Sequence, residues 1–160
     1  MARLEKTDKR THYCGTLRRA DIDKTVCVMG WTARARDLGG LVFIDLRDRT
    51  GIVQLAFDDN TDRAVFEEAV KTRSEYVVVA HGTVRERSAI NTQIPTGEIE
   101  IAVTEYKILS AAETTPFEIN DSVNVRDETA LKYRYLDLRR PSLQKNILMR
   151  HEIARVTRDY

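Results

Sequence analysis

Cysteine, proline and tryptophan are scarce in this 160-residue chain: two cysteines, three prolines and one tryptophan, with seven glycines. Two cysteines, Cys14 and Cys27, cannot build a disulfide framework, so reduced thiols and a cytoplasmic location are the simplest expectation. With so little proline and glycine there is no low-complexity tract, and no repeat of 20–50 residues occurs. No apolar run approaches the ~20 residues that a membrane span needs. Met1 to Arg10 is polar and charged, without the apolar stretch of a signal peptide. Net charge of one sign is also missing: 26 Lys+Arg stand against 25 Asp+Glu. What is present is a hydrophobic content of 42% beside 32% charged residues, which excludes a wholly disordered chain and suits a self-sufficient core.

The balanced total conceals blocks. Six basic residues face two acidic ones between Ala2 and Arg19, and eight face two between Lys132 and Arg158. Glu113 to Glu128 holds five acidic residues and one arginine. A basic face beside an acidic connector is compatible with a polyanionic partner, and equally with an ordinary solvated surface.

Apolar periodicity predicts the elements. TVCVMGWTARAR (25–36) reads as a strand, LVFIDLRD (41–48) as a second after the turn Asp37-Leu38-Gly39-Gly40, and IVQLAF (52–57) as a third beyond Thr50-Gly51. Asp58 to Thr61 supplies helix-capping residues for a helix over 61–73, with Val65, Phe66, Ala69 and Val70 at helical spacing. A fourth strand is expected from Tyr76 to Val84, a loop over Ser88–Gly97, and a fifth strand from Ile99 towards Ile108. Five strands with a helix between the third and fourth predict a mainly β domain, a five-stranded Greek-key barrel of the OB-fold type, over residues 1–110. The acidic stretch beginning at Ala111 reads as a linker or hinge over 111–140. Pro141-Ser142 opens a helix over 141–160, with Ser142 as a possible cap, whose apolar positions (Leu143, Ile147, Met149, Ile153, Val156) ask for a further domain or chain to cover them.

Catalytic motifs are missing. His12, His81 and His151 lie far apart, and there is no CxxC, HExxH, GxGxxG or GxxxxGKS/T. Cys14 and Cys27 read as small core residues. Asp58 and Asp59 read as turn and cap residues, and Asp45 and Asp48 do not share a face in a way that would pair two acids. The expectation is therefore no catalytic residue and no metal or other cofactor site.

The second strand says more. Val42, Ile44 and Leu46 share one face and Phe43, Asp45 and Arg47 the other, which leaves an aromatic ring among charges on the solvent side. If Val53, Leu55 and Phe57 point inward on the third strand, Gln54 points outward; Arg34 and Arg36 project together from the first. A ring, an amide and guanidinium groups on one face suit single-stranded nucleic acid: a base stacks on the ring, the amide reads an edge, and the arginines meet phosphates. A protein contact or a covered ring remain open on the same pattern. Trp31 reads as a core residue.

GWTARARDLGGLVFIDLRDRTGIVQLAFD (30–58) resembles the anticodon-binding domain of bacterial aspartyl-tRNA synthetases, members of class IIb of the aminoacyl-tRNA synthetases. HYCGTLR (12–18), TGEIE (96–100) and LKYRYLDLRRPSLQKNILMR (131–150) resemble it too. The resemblance runs from Thr11 to the last residue. It implies an N-terminal OB domain, a hinge and the first helix of a class II catalytic domain. It implies that Phe43 stacks on the middle anticodon uridine of tRNA-Asp, that Gln54 reads it, and that Arg36, with Arg34 beside it, packs near the anticodon. Asn91 and Glu98 match regions that contact the flanking anticodon bases. The ATP-binding class II motifs have no counterpart in these 160 residues, so ATP and Mg²⁺ would belong to a full-length parent that is a homodimeric aspartate–tRNA ligase. The alternatives are a stand-alone OB-fold module for single-stranded nucleic acid and a structural or dimerisation module.

Overall fold

A computed structural model describes residues 2–160. Five strands close a barrel in the order β1-β2-β3-β5-β4: β1 Thr25–Asp37, β2 Val42–Arg47, β3 Ile52–Phe57, β4 Val77–Glu86 and β5 Ile99–Ser110. All pairings are antiparallel except β3 with β5. Helix α1, Arg63–Val70, joins β3 to β4. This is the OB-fold order expected from the periodicity. Two compact units divide the chain, one through Glu113 and a second over Thr114–Tyr160.

The barrel interior follows from period-2 alternation. Val26 and Val28 of β1, Val42, Ile44 and Leu46 of β2, and Val53, Leu55 and Phe57 of β3 are all buried in one core. Cys14 is in the same core and Cys27 is buried nearby, both as free thiols. Burial, reinforced by the neighbouring Asp48 carboxylate, pushes the Cys14 thiol well above its ordinary value, as suits a packing residue. Gly30 continues the inward row because a Cβ there would collide with the Arg47 carbonyl oxygen. Gly39 and Gly40 both take positive φ, which lets β1 turn back into β2.

Trp31 departs from the sequence expectation. It stands next to Gly30 on the outward row and is 37% exposed, not a core residue. Alternation put it there; its bulk alone suggested the interior. A bulge between Thr32 and Arg34 then resets the phase, so Trp31, Arg34 and Arg36 all pair with outward residues of β2.

Helix α1 is shorter than the 61–73 expected, and its cap is Asp62, whose carboxylate accepts the amides of Ala64 and Val65. Asp58 instead shapes the preceding turn by accepting the Asn60 amide. Thr72, just past the helix, is hydrogen-bonded to the Tyr106 hydroxyl at 2.9 Å, and Tyr106 meets Phe57 edge-on, which closes the barrel floor.

An N-terminal strap lies along β1, β4 and β5. The Thr11 amide donates to the Cys27 carbonyl and the Ala2 amide to that of Ile108. The buried Asp8 carboxylate pins it, accepting the Glu5 amide at 2.8 Å and lying 3.0 Å from His81 Nε2 and 3.1 Å from Lys107 Nζ. The Glu5 amide, then His81 and Lys107, hold the Asp8 carboxyl down at about 2, against the opposing effect of burial. A carboxyl lowered on folding contributes stability that is complete above its unfolded value of about 3.9 and is lost as pH falls through about 2. Asp8→Asn should therefore lower the melting temperature at pH 7, and the gap to the parent should close between about pH 4 and pH 2. Parallel melts across that range check it; a gap independent of pH would show that Asp8 acts by shape alone.

Residues 111–126, running from the end of the first unit into the second, are irregular, whereas the rest of the 111–140 stretch is largely helical. Helices α2, Asp127–Lys132, and α3, Arg134–Asp137, fill it, and Phe117, Ile119 and Leu136 form a small core with Val125 and Tyr133. Asp127 and Glu128 in the first turn and Lys132 in the last complement the α2 dipole, a signal that the acidic composition masked. Helix α4 spans Pro141–Asp159 with Pro141 in its first turn. Ser142 is not its cap. Asp121 does that work, accepting both the Ser142 amide and its hydroxyl. Ile147, Met149, Ile153 and Val156 of α4 are exposed.

Candidate nucleic-acid interface

Strand register sets two parallel rows across the outside of the barrel. One runs Arg34 on β1, Asp45 on β2, Gln54 on β3, Glu100 on β5 and Arg85 on β4. The next runs Arg36, Phe43, Ala56, Ala102 and Thr83. Side chains directly and diagonally opposite are within reach of each other, so the first row becomes a continuous polar chain.

The Arg36 guanidinium reaches diagonally to Asp45 at 3.2 Å and to Gln54 Oε1 at 3.4 Å. Gln54 Nε2 donates to Glu100 Oε2 at 3.0 Å. Arg85 donates to Glu100 Oε1 and to Asp58 Oδ2, both at 2.8 Å. Arg85 thereby holds the Asp58 carboxyl below the usual carboxylate range. Gln54 sits between an acceptor-only carboxylate and a donor-only guanidinium, which leaves one sense for its amide: oxygen towards Arg36, nitrogen towards Glu100.

Phe43 lies beside this chain. Its ring is half-buried, with the Arg36 guanidinium carbon 6.0 Å from the ring centroid. Alanines follow it in register on β3 and β5, so no bulky side chain rises next to the ring on that side.

The sequence-predicted residues fall into three groups. Phe43, Gln54 and Arg36 are brought together. Gln54, however, is only 3% exposed; it faces outward from the barrel but lies under Arg36 and Glu100, not open on the surface. Arg34 is exposed and in register with Asp45, whose ion pair is with Arg36. Asn91 and Glu98 are not hydrogen-bonded to the polar row among the described residues. The Asn91 side-chain oxygen accepts the Gln93 amide within its own loop, and the Glu98 carbonyl accepts the Arg87 amide at the neck of that loop. Sequence reasoning passed over Asp45, Arg85 and Glu100. Glu98 comes just before β5 and Glu100 is its second residue, so the two alternate in sequence, and only the parallel β3–β5 register picks out Glu100. The face is also less cationic than expected, because Arg36 and Arg85 are each matched by carboxylates.

Residues 26–109 match the family model described as an OB-fold nucleic acid binding domain. The chain belongs to this family. Among curated relatives of this OB-fold chain, the aspartate–tRNA(Asp/Asn) ligase of Thermoanaerobacter sp. (strain X514) is 56% identical over 154 residues, covering 95% of this chain and 26% of the relative. The aspartate–tRNA ligase of Enterococcus faecalis is 50% identical over 155 residues, covering 96% and 26%. The chain thus spans about a quarter of the length of these relatives. Among solved structures, asparaginyl-tRNA synthetase from Pyrococcus horikoshii complexed with asparaginyl-adenylate superposes with a TM-score of 0.70 at 28% identity, over 83% of this chain and 29% of that one. The resemblance drawn from RDLGGLVFIDLRDR and LKYRYLDLRRP is to the aspartate–tRNA ligases among these relatives.

No helix among the described residues is long and apolar enough to cross a membrane. No three His, Cys, Asp or Glu side chains among them converge to hold a metal ion.

Proposed function

We propose that this chain is the anticodon-binding part of an aspartate–tRNA ligase, and that the β1–β2–β3 outer face reads the middle anticodon base of tRNA-Asp. The observation that carries the reading is the fixed amide of Gln54 beside the Phe43 ring. A base stacks on Phe43. Its edge displaces the Arg36 guanidinium from a long 3.4 Å hydrogen bond and takes that place on Gln54 Oε1. Because Nε2 is committed to Glu100, the amide offers an acceptor. Uracil presents a donor at N3 and cytosine an acceptor, so the site prefers uridine. Displaced Arg36 remains available to a carbonyl or a phosphate, with Arg34 next to it. Asn91, in the β4–β5 loop, and Glu98, at the loop's end, are the residues through which flanking bases would be met.

Aspartate activation with ATP and Mg²⁺, homodimer formation and a cytoplasmic location belong to the longer enzyme in this reading. No residue described here is assigned to ATP or to a metal.

Anticodon stem-loops that differ only in a middle uridine or cytidine test the reading. The uridine form should bind more tightly by on the order of 1–3 kcal/mol, the cost of an unmatched polar group in a closed site. Equal binding of both, and of a scrambled loop, would instead indicate a general single-strand binder, the reading favoured by the fold alone.

A further inference from the structure

The anticodon face is close to electrically balanced, so it supplies little of the charge attraction that dominates RNA affinity. The basic block near the N-terminus supplies it elsewhere. A 3-10 turn over Cys14–Thr16 sits on the β2–β3 turn: the Cys14 amide donates to Asp48 Oδ2 at 2.7 Å and the Gly15 amide to Thr50 Oγ1 at 2.9 Å. Asp48 also accepts the Thr50 amide and hydroxyl, so the only carboxylate in this turn is buried in its own hydrogen bonds.

Tyr13 precedes the turn, half-buried. The guanidinium carbons of Arg10 and Arg49 each lie 4.8 Å from its ring centroid. Arg10 also donates to the Met29 carbonyl at 3.2 Å and Arg49 to the Tyr13 hydroxyl at 3.3 Å. Two exposed cations therefore share one ring, no further apart than twice that distance. Neither has an ion-pair partner among the described residues. Arg18, two residues past the same turn, likewise has no ion-pair partner among the described residues, its guanidinium donating to the Gly15 and Leu17 carbonyls. Gathering like charges around one ring is unfavourable without a counter-charge, and a ring-stacked guanidinium keeps its donor edge free for a phosphate.

We propose that Arg10 and Arg49, held on Tyr13, form a clamp for the sugar–phosphate backbone of the RNA whose loop base meets Phe43. This rests on the RNA-binding reading above. Arg49 lies in the β2–β3 turn, two residues past the end of β2 and six beyond Phe43, which sets it up to roughly 20 Å away at ~3.3 Å per residue. That is several nucleotides from a base stacked on Phe43, so the clamp grips the stem flanking the loop. It carries affinity without base preference, while the Phe43 face carries the preference.

The test is a salt series with the 160-residue chain, using a stem-loop with the aspartate anticodon, the same stem with a scrambled loop, and a single strand of the loop alone. Replacing both residues, Arg10→Gln with Arg49→Gln, should weaken the two stem-loops equally. It should also flatten the slope of log affinity against log salt by about 0.7–0.9 per lost contact. The loop strand should be unaffected. Arg10→Lys with Arg49→Lys should restore the slope. An unchanged slope overturns the clamp. So does an equal loss in the loop strand, or a Lys pair as defective as the Gln pair, which would make the guanidinium groups mere props for Tyr13. Phe43→Ala run in parallel separates the two readings: if it changes nothing while the arginine pair flattens the slope, the anticodon face fails and the clamp stands.

Discussion

Phe43→Ala should weaken binding of the anticodon stem-loop by about 1–3 kcal/mol, or roughly 5- to 150-fold, with little loss of stability. The ring lies outside the barrel core, beside the Arg36 guanidinium at 6.0 Å. Its removal empties no cavity in the interior. It exposes Ala56, now 2% exposed, and takes away the one aromatic surface in the row. A ring face does not distinguish bases, so stem-loops with a middle uridine and a middle cytidine should lose affinity together and their ratio should survive. Phe43→Leu, which keeps apolar cover but no π face, should fall between. Fluorescence anisotropy with both stem-loops, beside a thermal melt, checks this. Unchanged affinity in a variant that melts normally would remove Phe43 from the site.

Most of the barrel could be read from alternation because each strand has one face in the core. Phe43, Gln54 and Arg36 could be grouped for the same reason: a residue that is not inward on a barrel strand must be outward. Outward does not mean exposed, however. Gln54 is covered by side chains that arrive from β1 and β5, and the parallel β3–β5 pairing joins segments more than forty residues apart in sequence. That long-range register selects Glu100 over Glu98 and brings in Arg85, and no local pattern encodes it. Trp31 shows the reverse failure. There the local alternation was sufficient, and the general tendency of tryptophan to be buried misled. At the 111–140 stretch, composition suggested a linker while Phe117, Ile119 and Leu136 were too widely spaced to register as one apolar face; they meet only because the chain folds back between them.

Glu100 is the residue whose loss should cost most in both stability and recognition. Its carboxylate, 4% exposed, accepts from Gln54 on one side and Arg85 on the other. Glu100→Ala leaves a buried amide without its acceptor and a guanidinium half-paired. Breaking a buried charged pair from one side costs roughly 3–5 kcal/mol, and the lower end applies because Arg85 keeps Asp58 and is 39% exposed. A urea titration should show that loss as a lower midpoint at constant slope. Glu100→Gln is the sharper probe. Its amide oxygen should stay with the charged Arg85, which turns its NH₂ group towards Gln54. Gln54 must then reverse, presenting oxygen to position 100 and Nε2 outward, where the Arg36 guanidinium can no longer be accepted. The edge offered to a base changes from acceptor to donor. The preference between stem-loops should accordingly move from middle uridine towards middle cytidine, while total affinity, set by Phe43 and the phosphates, changes less. If Glu100→Gln keeps the uridine preference of the parent at full strength, the orientation of the Gln54 amide does not set the choice of base, and Arg36 becomes the reader in its place.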